Sequence, residues 1–97
     1  MPNYRLSRKA LSDLVEIGRY TERKWSVNQR NTYLKQIDNC FAELSDNPNL
    51  GVKCDYIKKG YRKFPQGSHI IFYRLNSDNI LEIIRVLHKS MDVESHL

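Results

Sequence analysis

Two apolar runs joined by a short polar turn dominate the second half of the chain. The runs are Ile70-Ile-Phe-Tyr-Arg-Leu75 and Ile80-Leu-Glu-Ile-Ile-Arg-Val-Leu87, and the turn is Asn76-Ser-Asp-Asn79. Runs rich in β-branched and aromatic residues that flank a turn of this composition predict a β-hairpin. The hairpin limits the possible folds because both of its faces carry apolar side chains, and each face needs a covering layer.

The length of the turn predicts a register for the hairpin. If Leu75 pairs with Ile80, then Tyr73 pairs with Glu82. One face is then almost wholly apolar, and we expect it to face the core: Ile71, Tyr73, Leu75, Ile80, Ile84 and Val86. The other face carries Ile70, Phe72, Arg74, Leu81, Ile83, Arg85 and Leu87. Because no other segment is left to cover this second face, the pattern predicts a partner-binding surface, with a homodimer interface as the alternative.

The first half of the chain has a helical period. Ser7 can cap a helix N-terminus, and apolar residues follow it at three- and four-residue steps. Ser26-Val-Asn-Gln29 is a capping-box pattern that begins a second helix, which Pro48 ends. A short extended run precedes the helices, and an edge strand containing Pro65 follows them. The order predicts a single α+β domain over residues 1–97, with elements β-α-α-β-β-β and a helical hairpin on one face of a small, mainly antiparallel sheet.

Composition excludes several classes of protein. The 97 residues suffice for one modest core, and no apolar run approaches the roughly 20 residues that a membrane span needs. The N-terminus lacks the apolar region of a signal peptide, so we expect a cytoplasmic protein with no membrane partner. Cys40 and Cys54 have no metal-ligand spacing and are predicted to be reduced thiols, and no metal or other cofactor is expected.

The positive charge is concentrated in one stretch. The chain has a formal net charge of +5, and between Lys53 and Arg74 six cationic residues face one acid, Asp55. Aromatic residues interleave with these cations, as on surfaces that contact nucleic acids. A charged sheet edge and a docking surface for an acidic protein explain the same pattern. The sequence leaves all three interpretations open.

The chain resembles the ParE toxins, which belong to the RelE/ParE superfamily of bacterial type II toxin–antitoxin systems. The resemblance covers nearly the whole chain and rests on the element order and on the ending Ile83-Ile-Arg-Val-Leu-His-Lys-Ser-Met-Asp92. Its most specific pieces are Gly67-Ser-His69 with Tyr73, Arg85, Leu87-His88 and Met91-Asp92. The resemblance implies a growth-arresting toxin, of the kind used in plasmid stabilisation, that inhibits DNA gyrase and is neutralised by a ParD-like antitoxin.

The other arm of the superfamily consists of ribosome-dependent mRNA endonucleases of the RelE type, and this activity is the alternative. Those enzymes use an arginine on the third strand and, in several members, a histidine followed by an aromatic residue. Here Ile70 stands at the arginine position, His88 is retained, and Lys89 follows it. RNA cleavage needs a base, an acid and a cation at the phosphate. The resemblance therefore favours a toxin that is not an enzyme, with His88 as the catalytic candidate only under the alternative.

Two binding surfaces follow from the charge pattern, the hairpin faces and the resemblance. The target-binding residues are predicted to be Arg62, Arg85, His88, Lys89, Met91 and Asp92. The antitoxin is predicted to bury apolar residues and to pair with cations of the second face and the basic stretch: Lys58, Lys59, Tyr61, Ile70, Phe72, Arg74, Leu81 and Ile83. Asp92 is also placed to cap a last helical turn toward Leu97. A homodimer and a toxin–antitoxin hetero-oligomer both remain open.

Overall fold

The structure is a computed structural model that describes residues 3–97. The elements are β1 (Tyr4–Leu6), α1 (Arg8–Lys24), α2 (Val27–Asp46), a 3₁₀ turn (Pro48–Leu50), β2 (Val52–Lys53), β3 (Arg62–Gln66), β4 (His69–Leu75), β5 (Leu81–His88) and α3 (Val93–His96). The five strands form one sheet in the order β1-β5-β4-β3-β2. β1 runs parallel to β5, and the other pairs are antiparallel. The predicted α+β class is confirmed, with β2 and α3 added to the predicted order.

The predicted caps begin both long helices. Ser7 Oγ accepts a hydrogen bond from the Ala10 amide at 2.9 Å, and Ser26 Oγ accepts one from the Gln29 amide at 3.0 Å. The helices form an antiparallel hairpin that lies on one face of the sheet. Its apolar side and that face bury the main core: Ala10, Ile17, Ile37, Cys40, Phe41, Leu44, Ile71, Tyr73, Leu81, Ile83 and Val86. Within the described residues, no helix is both long and apolar enough to cross a membrane.

The predicted hairpin register is wrong. Leu75 pairs with Leu81 rather than Ile80, because the turn is one residue longer than predicted. Asn79 adopts a left-handed backbone with φ of 60°, and the Asn76 side chain accepts hydrogen bonds from the amides of Asp78 and Ile80. Short polar side chains of this type stabilise such turns. A β-bulge then leaves Ile84 without a partner, so that Phe72 pairs with Arg85 and the register shifts again.

The register error placed Leu81 and Ile83 on the wrong face. Both side chains are fully buried in the main core beneath the helices. Their predicted place on an exposed, antitoxin-binding face is therefore wrong, since neither can reach a partner in this structure. Leu75 and Ile80, which were predicted to be core residues, are exposed and half-buried respectively.

The prediction that no segment covers the second face of the sheet is also wrong. Phe72 and Leu87 are each 1% exposed and form a second apolar cluster with Cys54. Two segments pack over this cluster, namely residues 54–61 and the C-terminal residues 93–97, through the side chains of Ile57, Tyr61, Val93 and Leu97. The domain thus has three layers, with a thin covering on the side opposite the helices.

Candidate functional site

The open end of the β4–β5 hairpin brings two histidines together. His69 and His88 are directly paired across the strands, and their ring centroids lie 5.3 Å apart with the rings nearly perpendicular. The rings lie beside an open cavity under α1, which we call the histidine cavity. Side chains from α1, β4, β5 and the C-terminal residues line it: Asp13, Glu16, Ile17, Tyr20, Arg23, His69, Arg85, Val86, His88, Ser90, Met91 and His96.

Tyr33 of α2 fixes the orientation of His69. The Tyr33 hydroxyl oxygen lies 2.7 Å from His69 Nδ1 and 3.1 Å from the Gln66 carbonyl oxygen, and it accepts a hydrogen bond from the Ser68 amide at 3.1 Å. The hydroxyl has one hydrogen and two acceptors within reach, so the tautomer of His69 depends on which of them receives that hydrogen. Burial, followed by the charge of His88, lowers the His69 pKa to about 4, so His69 is neutral at physiological pH.

His88 is exposed and is oriented by the turn that follows it. Its Nδ1 lies 2.7 Å from Ser90 Oγ and accepts a hydrogen bond from the Ser90 amide at 3.1 Å. The neighbouring backbone closes this turn through the Met91 amide, which donates to the His88 carbonyl. Nε2 of neither ring has a hydrogen-bond partner in the described part of the protein.

Arg85 joins the layers on the two sides of the sheet. Its guanidinium donates to both carboxylate oxygens of Asp13 on α1, each at 2.8 Å, and to the His96 carbonyl in α3 at 2.7 Å. Asp13 also accepts a hydrogen bond from the Val86 amide, which lies on the part of the β5 edge that does not pair with β1. Both side chains of the pair are 14% exposed, and the Asp13 hydrogen bonds raise the Arg85 pKa. These contacts anchor α1 and the C-terminal segment to β5.

The C-terminal segment carries the predicted cap. Asp92 accepts hydrogen bonds from the Glu94 amide at 3.2 Å and from the Ser95 hydroxyl at 2.8 Å, which confirms that it begins the last helical turn. Met91 is 45% exposed, and Lys89 and Asp92 are also exposed. The segment therefore presents its first residues to solvent while Val93 and Leu97 pack against the sheet.

Five of the six predicted target-binding residues lie at one end of the molecule. His88, Lys89, Met91 and Asp92 are consecutive or nearly so, and Arg85 lies beside them in the lining of the histidine cavity. Arg62 lies apart. It pairs with Tyr73, four positions along the sheet from the Gln66–His69 pair, which is a separation of about 13 Å. The Arg62 guanidinium donates to the Gly51 carbonyl at 2.7 Å and so supports a loop.

The accessible residues predicted to bind the antitoxin lie on the side opposite the helices. Lys58 and Lys59 are exposed, and Tyr61 and Ile70 are half-buried. Arg74 is exposed and forms an ion pair with Glu82 at 2.7 Å. An open groove separates segment 54–61 from the C-terminal segment and is lined by Tyr56, Ile57, Lys63, Ile70, Phe72, Met91, Asp92, Val93, Glu94 and Leu97.

Sequence reasoning missed three residues of the site, namely Asp13, Tyr33 and His69 as a partner of His88. Each contact crosses more than 15 positions of the chain, and two of them connect a helix to a strand, so no local spacing encodes them. A correct hairpin register would have placed His69 opposite His88. Over residues 3–97 no group of three or more His, Cys, Asp or Glu side chains could hold a metal ion, and both cysteines are free and buried.

Together, these features define a small α+β domain with an exposed tail at one end, and comparison with known proteins identifies its family. The family described as "ParE toxin of type II toxin-antitoxin system, parDE" matches residues 4–93. Toxin ParE1 of Caulobacter vibrioides is 39% identical over 97 residues, which cover 100% of this chain and 99% of that protein. Toxin ParE1 of Mycobacterium tuberculosis is 39% identical over 94 residues, which cover 97% and 96%. This chain belongs to the ParE toxin family of type II toxin–antitoxin systems.

Solved structures show the same fold. A chain of the chromosomal ParDE toxin–antitoxin system from P. aeruginosa aligns with a TM-score of 0.76 at 18% identity, and the alignment covers 91% of this chain and 96% of the other. A chain of the RelBE2 toxin–antitoxin complex from Mycobacterium tuberculosis aligns with a TM-score of 0.55 at 19% identity, covering 92% and 100%. Both comparisons support the RelE/ParE-like architecture.

Proposed function

We propose that this toxin arrests growth by inhibiting DNA gyrase without catalysing a reaction, and that a ParD-like antitoxin neutralises it. The observation that carries the proposal is membership of the ParE family along essentially the whole chain. The position at which RelE-type nucleases use arginine holds Ile70, a half-buried residue of β4 that packs with the second apolar cluster. An apolar side chain there cannot stabilise the charge of a phosphate in the transition state.

The tail formed by residues 88–92 is the surface that we assign to the target. Lys89, Met91 and Asp92 project from a segment that Arg85 and the apolar residues of α3 hold in place. An exposed methionine such as Met91 is a suitable centre for a protein interface, because its flexible side chain adapts to a partner surface. Arg85 supports this surface from beneath, and His88 forms its boundary with the histidine cavity.

We expect the purified toxin to inhibit supercoiling by DNA gyrase and to accumulate gyrase-cleaved DNA. Addition of the cognate ParD-like antitoxin before gyrase should restore supercoiling, because the antitoxin sequesters the toxin. Gel assays of plasmid topology measure both effects, and heat-denatured toxin is the control. Normal supercoiling in the presence of folded, antitoxin-free toxin would contradict the proposed target.

Ribosome-dependent mRNA cleavage is the second candidate, and one feature of the structure favours it. His69 lies beside His88, so the site holds two imidazoles rather than a single one. Two adjacent imidazoles could divide between them the roles of base and acid that cleavage of RNA requires. Under this alternative, toe-printing of translating ribosomes would show cuts that His88→Ala abolishes, whereas a gyrase inhibitor leaves mRNA intact.

For the antitoxin, the accessible surface is narrower than the predicted one. We infer that acidic residues of the antitoxin pair with Lys58 and Lys59 and that its apolar side chains enter the groove beside Ile70. Segment 54–61 presents these lysines on the side opposite the helices, and Lys58 Nζ lies 5.8 Å from the centre of the Tyr61 ring. Complementary charges of this kind increase the association rate more than they slow dissociation.

Replacement of both lysines, Lys58→Glu with Lys59→Glu, should slow association with the antitoxin by about tenfold or more at low salt, since two attractive charges become repulsive. Surface plasmon resonance at two salt concentrations measures the effect, which should shrink as salt rises. Arg8→Glu with Lys9→Glu is the matched control, because it makes the same change of charge at exposed positions on α1. Equal association rates for the two double variants would contradict this location.

A further inference from the structure

We propose that His69 and His88 together bind a divalent transition-metal ion of the zinc class through their Nε2 atoms, with water completing the coordination. Neutral imidazoles are common ligands of Zn²⁺, Ni²⁺ and Cu²⁺. The two residues belong to neighbouring strands of one hairpin, so the backbone holds their side chains on adjacent positions. With two protein ligands, the site would be an exchangeable one rather than a closed structural site.

The separation of the two rings suits tetrahedral coordination. A ring centroid lies about 3.2 Å from a Zn²⁺ ion bound at Nε2, given a Zn–N bond of about 2.05 Å. Two such rings at the tetrahedral angle have centroids about 5.2 Å apart, whereas a right angle brings them to about 4.5 Å. The observed separation is 5.3 Å. The hairpin therefore holds the two ring centroids at a separation that is compatible with one tetrahedral ion.

Hydroxyl groups behind both rings provide the supporting contacts that histidine ligands use. Ligating histidines donate from the second ring nitrogen to an oxygen atom, which fixes the ring and its tautomer. The Tyr33 hydroxyl lies 2.7 Å from His69 Nδ1 and can accept its proton when the ion binds at Nε2. Ser90 Oγ lies 2.7 Å from His88 Nδ1 and can accept its proton when the ion binds. The Ser90 amide would then turn to solvent, to which Ser90 is exposed.

The surroundings of the pair leave room for bound water. The histidine cavity is open to solvent, and His88 lies on its exposed rim. The carboxylates of Asp13 and Glu16 line the same cavity together with the guanidinium groups of Arg23 and Arg85, so the lining has no net charge when the histidines are neutral. Arg85 neutralises Asp13 in part through their ion pair. The ion would tie the end of β5 to β4 immediately before the tail that we assign to the target.

Isothermal titration calorimetry tests the proposal. The tag-free protein is titrated with ZnCl₂ and, separately, with NiCl₂ at pH 7.5 in a buffer that does not bind metals. We expect one ion per chain. His88→Ala should weaken binding by about tenfold or more because it removes a ligand from an exposed position without disturbing the core. His69→Ala should weaken binding equally, and Tyr33→Phe should weaken it by about tenfold through loss of the supporting hydroxyl.

His96→Ala is the matched control, since His96 is the one remaining histidine of the chain and also lines the histidine cavity. The affinity of the His96→Ala variant for the metal ion should equal that of the wild type. Binding by the wild type that is no tighter than binding by His88→Ala would overturn the proposal, as would an equal loss in His96→Ala. Because the assay contains the toxin and metal alone, its outcome does not depend on gyrase or on the antitoxin.

Discussion

Phe72→Asp should unfold the domain rather than release the antitoxin selectively. Phe72 is 1% exposed and packs with Leu87 and Cys54 beneath the two covering segments. Truncation of a buried phenylalanine costs about 3–5 kcal/mol, and an unpaired carboxylate in an apolar cluster costs several more. Because the whole stability of a small domain is about 5–15 kcal/mol, we expect no cooperative unfolding transition by circular dichroism.

Leu75→Asp is the control for this prediction, because it introduces the same charge on the same strand at a residue that is 46% exposed. Its unfolding midpoint should stay close to that of the wild type. A folded Phe72→Asp variant with a wild-type midpoint would show that the second apolar cluster does not contribute to stability. Loss of antitoxin binding by a folded variant would instead restore Phe72 as a direct contact.

Arg85→Ala should reduce the free energy of unfolding by about 3 kcal/mol, the lower end of the range for breaking a buried ion pair. The substitution leaves the Asp13 carboxylate, which is 14% exposed, without its bidentate partner and removes the donor to the His96 carbonyl. Both covering layers lose an anchor on β5 as a result. Urea denaturation measures the change, and proteolysis of the C-terminal segment reports whether that segment is released.

Arg74→Ala is the control that distinguishes loss of the Arg85 anchor from loss of an exposed arginine. Arg74 also pairs with a carboxylate across the strands, but its side chain is 49% exposed, and exposed pairs contribute about 1 kcal/mol or less. We therefore expect a small change. If Arg85→Ala and Arg74→Ala destabilised the protein equally, the anchoring role of Arg85 would be refuted, and Arg85 would remain available for direct contact with the target.

The sequence predicted the elements of this fold better than their relative positions. Caps are local, so Ser7 and Ser26 located the helix N-termini correctly, and both make the expected hydrogen bonds. Strand pairing depends on features that polar composition alone does not reveal. One extra turn residue beside Asn79 was enough to move Leu81 and Ile83 from the predicted outer face into the core, and the bulged residue at Ile84 then returns Val86 and Leu87 to the faces predicted for them.

The candidate site was predictable to a similar degree. The tail residues could be named from the chain because they are neighbours in sequence, and Asp92 caps the last helix as predicted. The contacts that support these tail residues could not be predicted from the sequence, because Asp13 contacts Arg85 across 72 positions of the chain and Tyr33 contacts His69 across 36. Such contacts arise only when α1 and α2 pack on the sheet. A covering segment as short as residues 93–97 likewise has no strong periodicity of its own.

The most direct test of the central claim is a gyrase cleavage assay with a tail variant that keeps its fold. Met91→Glu changes an exposed apolar side chain outside both buried clusters, so its stability should match that of the wild type. We predict that the wild type accumulates gyrase-cleaved plasmid and that Met91→Glu accumulates about tenfold less, because the variant places a charge at the centre of the proposed interface. Equal accumulation of cleaved DNA by both proteins would contradict target binding through the tail, and no cleaved DNA with either would contradict gyrase inhibition itself.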